Sequence, residues 1–103
     1  MSLCNKLVRD KIPEILEKEG KRYVIQYAEK EKMLDLLKDK LKEESREFLQ
    51  DNSLEELADI VEVVFSLANE LGYSEEEVLV KRTEKREEKG GFEEGIVLER
   101  VCE

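Results

Sequence analysis

Two adjoining stretches of this chain repeat apolar residues at helical spacing, and each sets a pair of acids in or beside its apolar stripe. Leu34, Leu37, Leu41 and Phe48 stand at i, i+3, i+7 and i+14, which places them on one face of a helix. At roughly 100° per residue, Glu44 falls inside that stripe near Leu37 and Leu41, and Glu47 lies on its flank. The second stretch carries Leu57, Ile60, Val61, Val64, Leu67, Ala68 and Leu71, with Glu56 at one edge and Asp59 just outside. Asp51-Asn52-Ser53 separates the two, so they should form antiparallel neighbours with acids along one margin.

Acids at such positions need an explanation. An unpaired buried carboxylate costs several kcal/mol, so it must be protonated, paired or bound to a cation. Four oxygen donors and no softer ligand suit Mg²⁺, with Mn²⁺ as a substitute, and leave positions for water and substrate phosphates. A plainer reading competes. With 27 acids in 103 residues, chance gives about seven acid pairs at i, i+3. Pairs such as Glu14 with Glu17 and Glu84 with Glu87 read as solvated faces. Ser53-Leu54-Glu55-Glu56 also reads as a capping box, in which Glu56 reaches back to the Ser53 backbone N–H.

The remaining segments read as helices joined by local stop signals. A length of 103 residues predicts one domain over 1–103, with a small core. Asp10 is a candidate N-cap for a short helix holding Pro13 in its first turn and stopping at Gly20. Residues 21–27 are rich in β-branched and aromatic side chains, with Tyr23, Ile25 and Tyr27 alternating, and predict an extended segment or short strand. Its one available partner is Ile96-Val97-Leu98 in the tail. The first acid-bearing helix should run from about Glu29 to Gln50, and the second from Leu54 to Leu71 before Gly72. Ser74-Glu75-Glu76-Glu77 opens a last helix that reaches about Lys89 before Gly90-Gly91. The expected fold is all-α: a small helical bundle whose partly covered stripes are completed by dimerisation.

Composition removes several chemistries. There is no histidine, which excludes Ser-His-Asp and Cys-His catalysis and histidine zinc sites. A formal charge of −9 argues against a nucleic-acid polymer as partner. No apolar run reaches membrane-spanning length and no signal peptide opens the chain, so the expected location is the cytoplasm, with no membrane partner. Cys4 and Cys102 fit no metal or redox spacing and read as reduced thiols.

The last helix carries its own asymmetry. Lys81, Lys85 and Lys89, with Arg82 and Arg86, follow i, i+4 spacing along one side. Local ion pairing on a solvated face accounts for such a stripe at a few tenths of a kcal/mol per pair. In so acidic a chain it also reads as an anion-docking face, with Lys81, Lys85, Arg86 and Lys89 set to take phosphate.

The two acid pairs together resemble the signature of the MazG-like branch of the all-α nucleoside triphosphate pyrophosphohydrolases, a superfamily that includes phosphoribosyl-ATP pyrophosphohydrolase. That signature is E-x-x-E on one helix and E-x-x-D on the next, matched by Glu44-Ser45-Arg46-Glu47 and Glu56-Leu57-Ala58-Asp59. The opening Asn5-Lys6-Leu7-Val8-Arg9-Asp10-Lys11-Ile12-Pro13 and the closing Lys89-Gly90-Gly91-Phe92 resemble small single-domain members, so the likeness spans most of the chain. It implies Mg²⁺-dependent hydrolysis of a nucleotide between its α- and β-phosphates, giving a monophosphate and pyrophosphate, in a housecleaning role. It also implies Glu44, Glu47, Glu56 and Asp59 as metal ligands, while the partly covered stripes call for a homodimer or homotetramer. Glu44 and Glu47 are the expected catalytic acids, a carboxylate not fully committed to metal activating the attacking water. The alternative is a non-catalytic helical dimer that binds nucleotide, metal or a protein partner.

Overall fold

The computed structural model describes residues 5–102; Cys4 lies outside them, and Cys102 is an exposed free thiol. The described chain is all-helical, with four α-helices in the order α1 (Ile12–Lys18), α2 (Met33–Asp51), α3 (Leu54–Glu70) and α4 (Glu75–Lys89). A single 3-10 turn, Lys30–Lys32, leads into α2. The expected start near Glu29 is therefore this tighter turn, and the α-helix proper begins at Met33.

Helix ends follow local chemistry. Gly20, with φ of +73°, stops α1 through paired bonds from the Gly20 N–H to the Glu17 C=O and from the Lys21 N–H to the Leu16 C=O. Gly72, with φ of +91°, repeats the arrangement after α3, where the Tyr73 N–H reaches the Ala68 C=O at 2.8 Å. Asp10 does not cap α1. The N-cap is Lys11, without a side-chain cap, and Pro13 sits in the first turn, where a missing N–H costs nothing.

The expected strand over residues 21–27 does not form, and no strand occurs among the described residues. Val24 is fully exposed and Tyr27 nearly so, and Ile96, Val97 and Leu98 are also largely open to solvent. An isolated strand gains no ladder hydrogen bonds, so β-propensity without a paired edge leaves an irregular segment.

The body of the fold is the α2/α3 hairpin. α3 also touches α4, whereas α2 and α4 do not meet. Among the described residues Leu37, Val63 and Ala68 are the buried apolar ones, with Leu34, Leu41, Phe48, Ile60 and Leu67 half-buried around them. On α3 the packing face is not the centre of the apolar stripe. It is rotated toward the acid edge, so Glu56, Asp59, Ile60 and Val63 turn inward while Leu57, Val61, Val64 and Leu71 remain exposed. Among the described residues no helix is long and apolar enough to cross a membrane.

Candidate metal centre

The acids at the hairpin seam come from sequence positions that the α2/α3 packing forces together. Glu44 follows Leu37 by two helical turns on the buried face of α2 and is itself buried, 7% exposed. Glu56 is the third residue of α3, whose N-terminus is fixed by Ser53. The Ser53 Oγ accepts the Glu56 backbone N–H at 3.2 Å. The return bond of a full capping box is not made. At the matching Ser74-Glu75-Glu76-Glu77 motif both bonds form, each at 3.0 Å. The Glu56 carboxylate instead turns across the seam to α2. Asp59, one turn later, is half-buried on the same side.

One oxygen each from Glu44, Glu56 and Asp59 lies within 4.8 Å of the others. Oxygens sharing one Mg²⁺ at about 2.1 Å stand some 3–4 Å apart, a spacing that small side-chain rotations reach from here. Glu47, half-buried, is not among the three; it lies against both Glu44 and Glu56. Two buried oxygens, Oε2 of Glu44 and Oε2 of Glu56, have no hydrogen-bond donor. An orphaned buried carboxylate oxygen is costly, and a hard cation satisfies it with the donor type present here. The residues fit a divalent ion.

Electrostatics tell the same story. Burial, then the neighbouring Glu47 carboxyl, pushes the Glu44 pKa upward, with Lys40 opposing. Desolvation, then Glu47 and Glu44, pushes Glu56 up to about 7. Negative charge is crowded here beyond what the nearby cations relieve. Lys40 Nζ reaches Glu44 Oε1 at 3.4 Å, but it is shared with Glu43 Oε2 at 3.0 Å. Glu43 also receives Lys6 Nζ at 2.8 Å, and bonds from Lys6 and Lys40 hold its carboxyl below the usual range. Glu43 is thus already satisfied, and it stands apart from the triad.

Asp59 has a partner that sequence periodicity does not reveal. Arg9, 50 residues earlier, donates from Nη2 to Asp59 Oδ1 at 2.7 Å. The segment before α1 is thereby tied to α2 through Lys6 and to α3 through Arg9. Nothing in the local spacing of Lys6 and Arg9 announces this.

Family models, curated proteins and solved structures were compared with this chain, and none matches. The reading of the centre rests on its own geometry.

The basic stripe of α4 stands elsewhere. Lys81, Lys85, Arg86 and Lys89 are all exposed. Lys81 pairs with Glu84 at 3.1 Å, and Arg86 binds Glu93 in the turn beyond the helix. No ion pair among the described residues joins this stripe to the four acids, and within one chain α4 does not meet α2.

Proposed function

We propose that the chain is a divalent-metal-dependent nucleotide pyrophosphohydrolase, cleaving a nucleoside triphosphate or related nucleotide between the α- and β-phosphates. The observation that carries this reading is the pair of donorless buried oxygens on Glu44 and Glu56, gathered with Asp59 in a histidine-free protein. The resemblance of the two acid motifs to the MazG-like branch supports it and gives the bond cleaved.

Glu44, Glu56 and Asp59 would hold the ion, Mg²⁺ or in its place Mn²⁺. Bound there, it supplies positive charge and Lewis acidity opposite the phosphates. Glu47, beside the triad and outside it, would orient the attacking water and take its proton. The water oxygen bonds to the α-phosphorus, the bond from phosphorus to the bridging oxygen breaks, and pyrophosphate departs with those electrons. Glu44 would bind the metal directly beside Glu47. The cations Lys81, Lys85, Arg86 and Lys89 serve the triphosphate only where a second copy brings its α4 over the hairpin. The exposed apolar row Leu57, Val61, Val64 and Leu71 on α3 gives that second copy a surface, as a homodimer or within a homotetramer.

The test is pyrophosphate release from a panel of ordinary and damaged nucleoside triphosphates with Mg²⁺. Turnover that Glu44→Gln with Asp59→Asn abolishes is the expected result, and turnover indifferent to that pair removes the site. Stabilisation by Mg²⁺ plus a nonhydrolysable triphosphate, with no turnover on any substrate, would favour a binding module instead.

A further inference from the structure

Arg9 reaches the triad from outside the hairpin. Its guanidinium donates one hydrogen bond, 2.7 Å, to Asp59, while its side chain remains 55% exposed. Its backbone is held in place, because the Arg9 C=O accepts the Ile12 N–H at the entry to α1 and Lys6 is tied to Glu43. The side chain can therefore swing on a fixed pivot at the mouth of the seam.

A guanidinium and a divalent cation repel each other and compete for the same Asp59 carboxylate, so occupancy by one weakens the other. The displaced guanidinium keeps its planar fork of N–H donors, a geometry that matches phosphate oxygens. Resting on the metal-site reading above, we propose that Arg9 is a phosphate-binding residue of the same centre, held on Asp59 until a divalent cation takes that carboxylate and then turned to the substrate's phosphates. In the α4 stripe, by contrast, Lys81 and Arg86 are engaged locally, and α4 lies away from α2.

Two titrations with opposite expected signs test this on wild type, Arg9→Gln and Arg9→Lys. Mn²⁺ alone should bind Arg9→Gln about two- to fivefold more tightly, the size of an exposed ion pair no longer competing. Inorganic tripolyphosphate, a base-free stand-in for the substrate, should bind Arg9→Gln at saturating Mg²⁺ about tenfold more weakly, with Arg9→Lys between. Both signs are required. Unchanged or weaker Mn²⁺ binding in Arg9→Gln, or unchanged tripolyphosphate binding, overturns the role of Arg9 while leaving the metal centre standing. Absence of Mn²⁺ binding from wild type and both variants removes the metal centre itself, and this inference with it. Equal thermal unfolding of the three proteins in EDTA excludes misfolding as the cause.

Discussion

Ser53 and Glu56 form only half of a capping box: the hydroxyl accepts the Glu56 N–H at 3.2 Å, and the carboxylate is spent on the α2/α3 seam. Ser74 and Glu77, in a motif of the same residue types, complete both bonds. What differs is the neighbour. α3 opens against a helix that presents Glu44, while the first turn of α4 is open to solvent. A side chain that gives up a local hydrogen bond to sit beside two other carboxylates is not there for the stability of the metal-free chain.

Glu56→Gln should therefore raise the melting temperature in EDTA at pH 8 by a few °C, because a neutral amide relieves the crowding. The same variant should lose most of the shift produced by Mg²⁺ in wild type, with metal affinity down at least about tenfold. Paired melts with EDTA and with Mg²⁺ measure both. A lower melting temperature in EDTA would mean that the carboxylate holds the fold rather than a cation.

Stability should also depend on pH with a definite sign. Glu44 and Glu56 are both raised from the ordinary value of 4.5, Glu56 to about 7, so above pH 4.5 the native chain binds more protons than the unfolded one. Their stabilising protonation is complete at about pH 4.5 and declines as pH rises, the share of Glu56 being lost above about 7. Glu43, lowered by Lys6 and Lys40, acts oppositely, and its contribution disappears as pH falls below the ordinary range. Melting temperature in EDTA should thus peak near pH 5 and decline toward pH 8, and Mg²⁺ should flatten the decline. A melting temperature that climbs from pH 5 to 8 in EDTA contradicts the site's electrostatics.

α4 offers a control without metal. Ser74→Ala removes the hydroxyl that receives the Glu77 N–H and should cost about 1 kcal/mol. Because α4 touches α3 alone, the loss should appear as faster amide exchange in the first turns of α4, with α2 unaffected. Uniform acceleration across the chain would show that α4 is coupled to the core more tightly than its packing indicates.

Most helix ends were legible in the sequence because caps are local: Ser53, Gly72 and Ser74 each act within a few residues, and the four acids could be placed beside a seam from spacing alone. The facing sector of α3 was not legible. Apolar residues cover more than half of that helix, so periodicity gives a wide stripe, and packing against α2 selects its acid edge. Residues 21–27 misled because strand propensity is read residue by residue, whereas a strand exists only with a partner edge. Arg9 was invisible as a site residue because its bond to Asp59 crosses 50 positions with no repeating pattern.

The exposed row on α3 bears on assembly. Leu57, Val61, Val64 and Leu71 are 36–57% exposed, and in one chain only Leu37, Val63 and Ala68 are buried apolar residues among those described. So small a core gives a single copy little to fold around, and a second copy laid on this row would bury apolar area at roughly 25 cal/mol per Å². Wild type at tens of micromolar should then scatter light as a dimer or tetramer. Val61→Glu places a charge in the middle of the row without touching the α2 seam, so it should shift the mass to a monomer and lower the melting temperature. A wild type that is monomeric at that concentration, with Val61→Glu melting at the same temperature, would show that the row covers nothing. The α4 cations would then have no route to the acids.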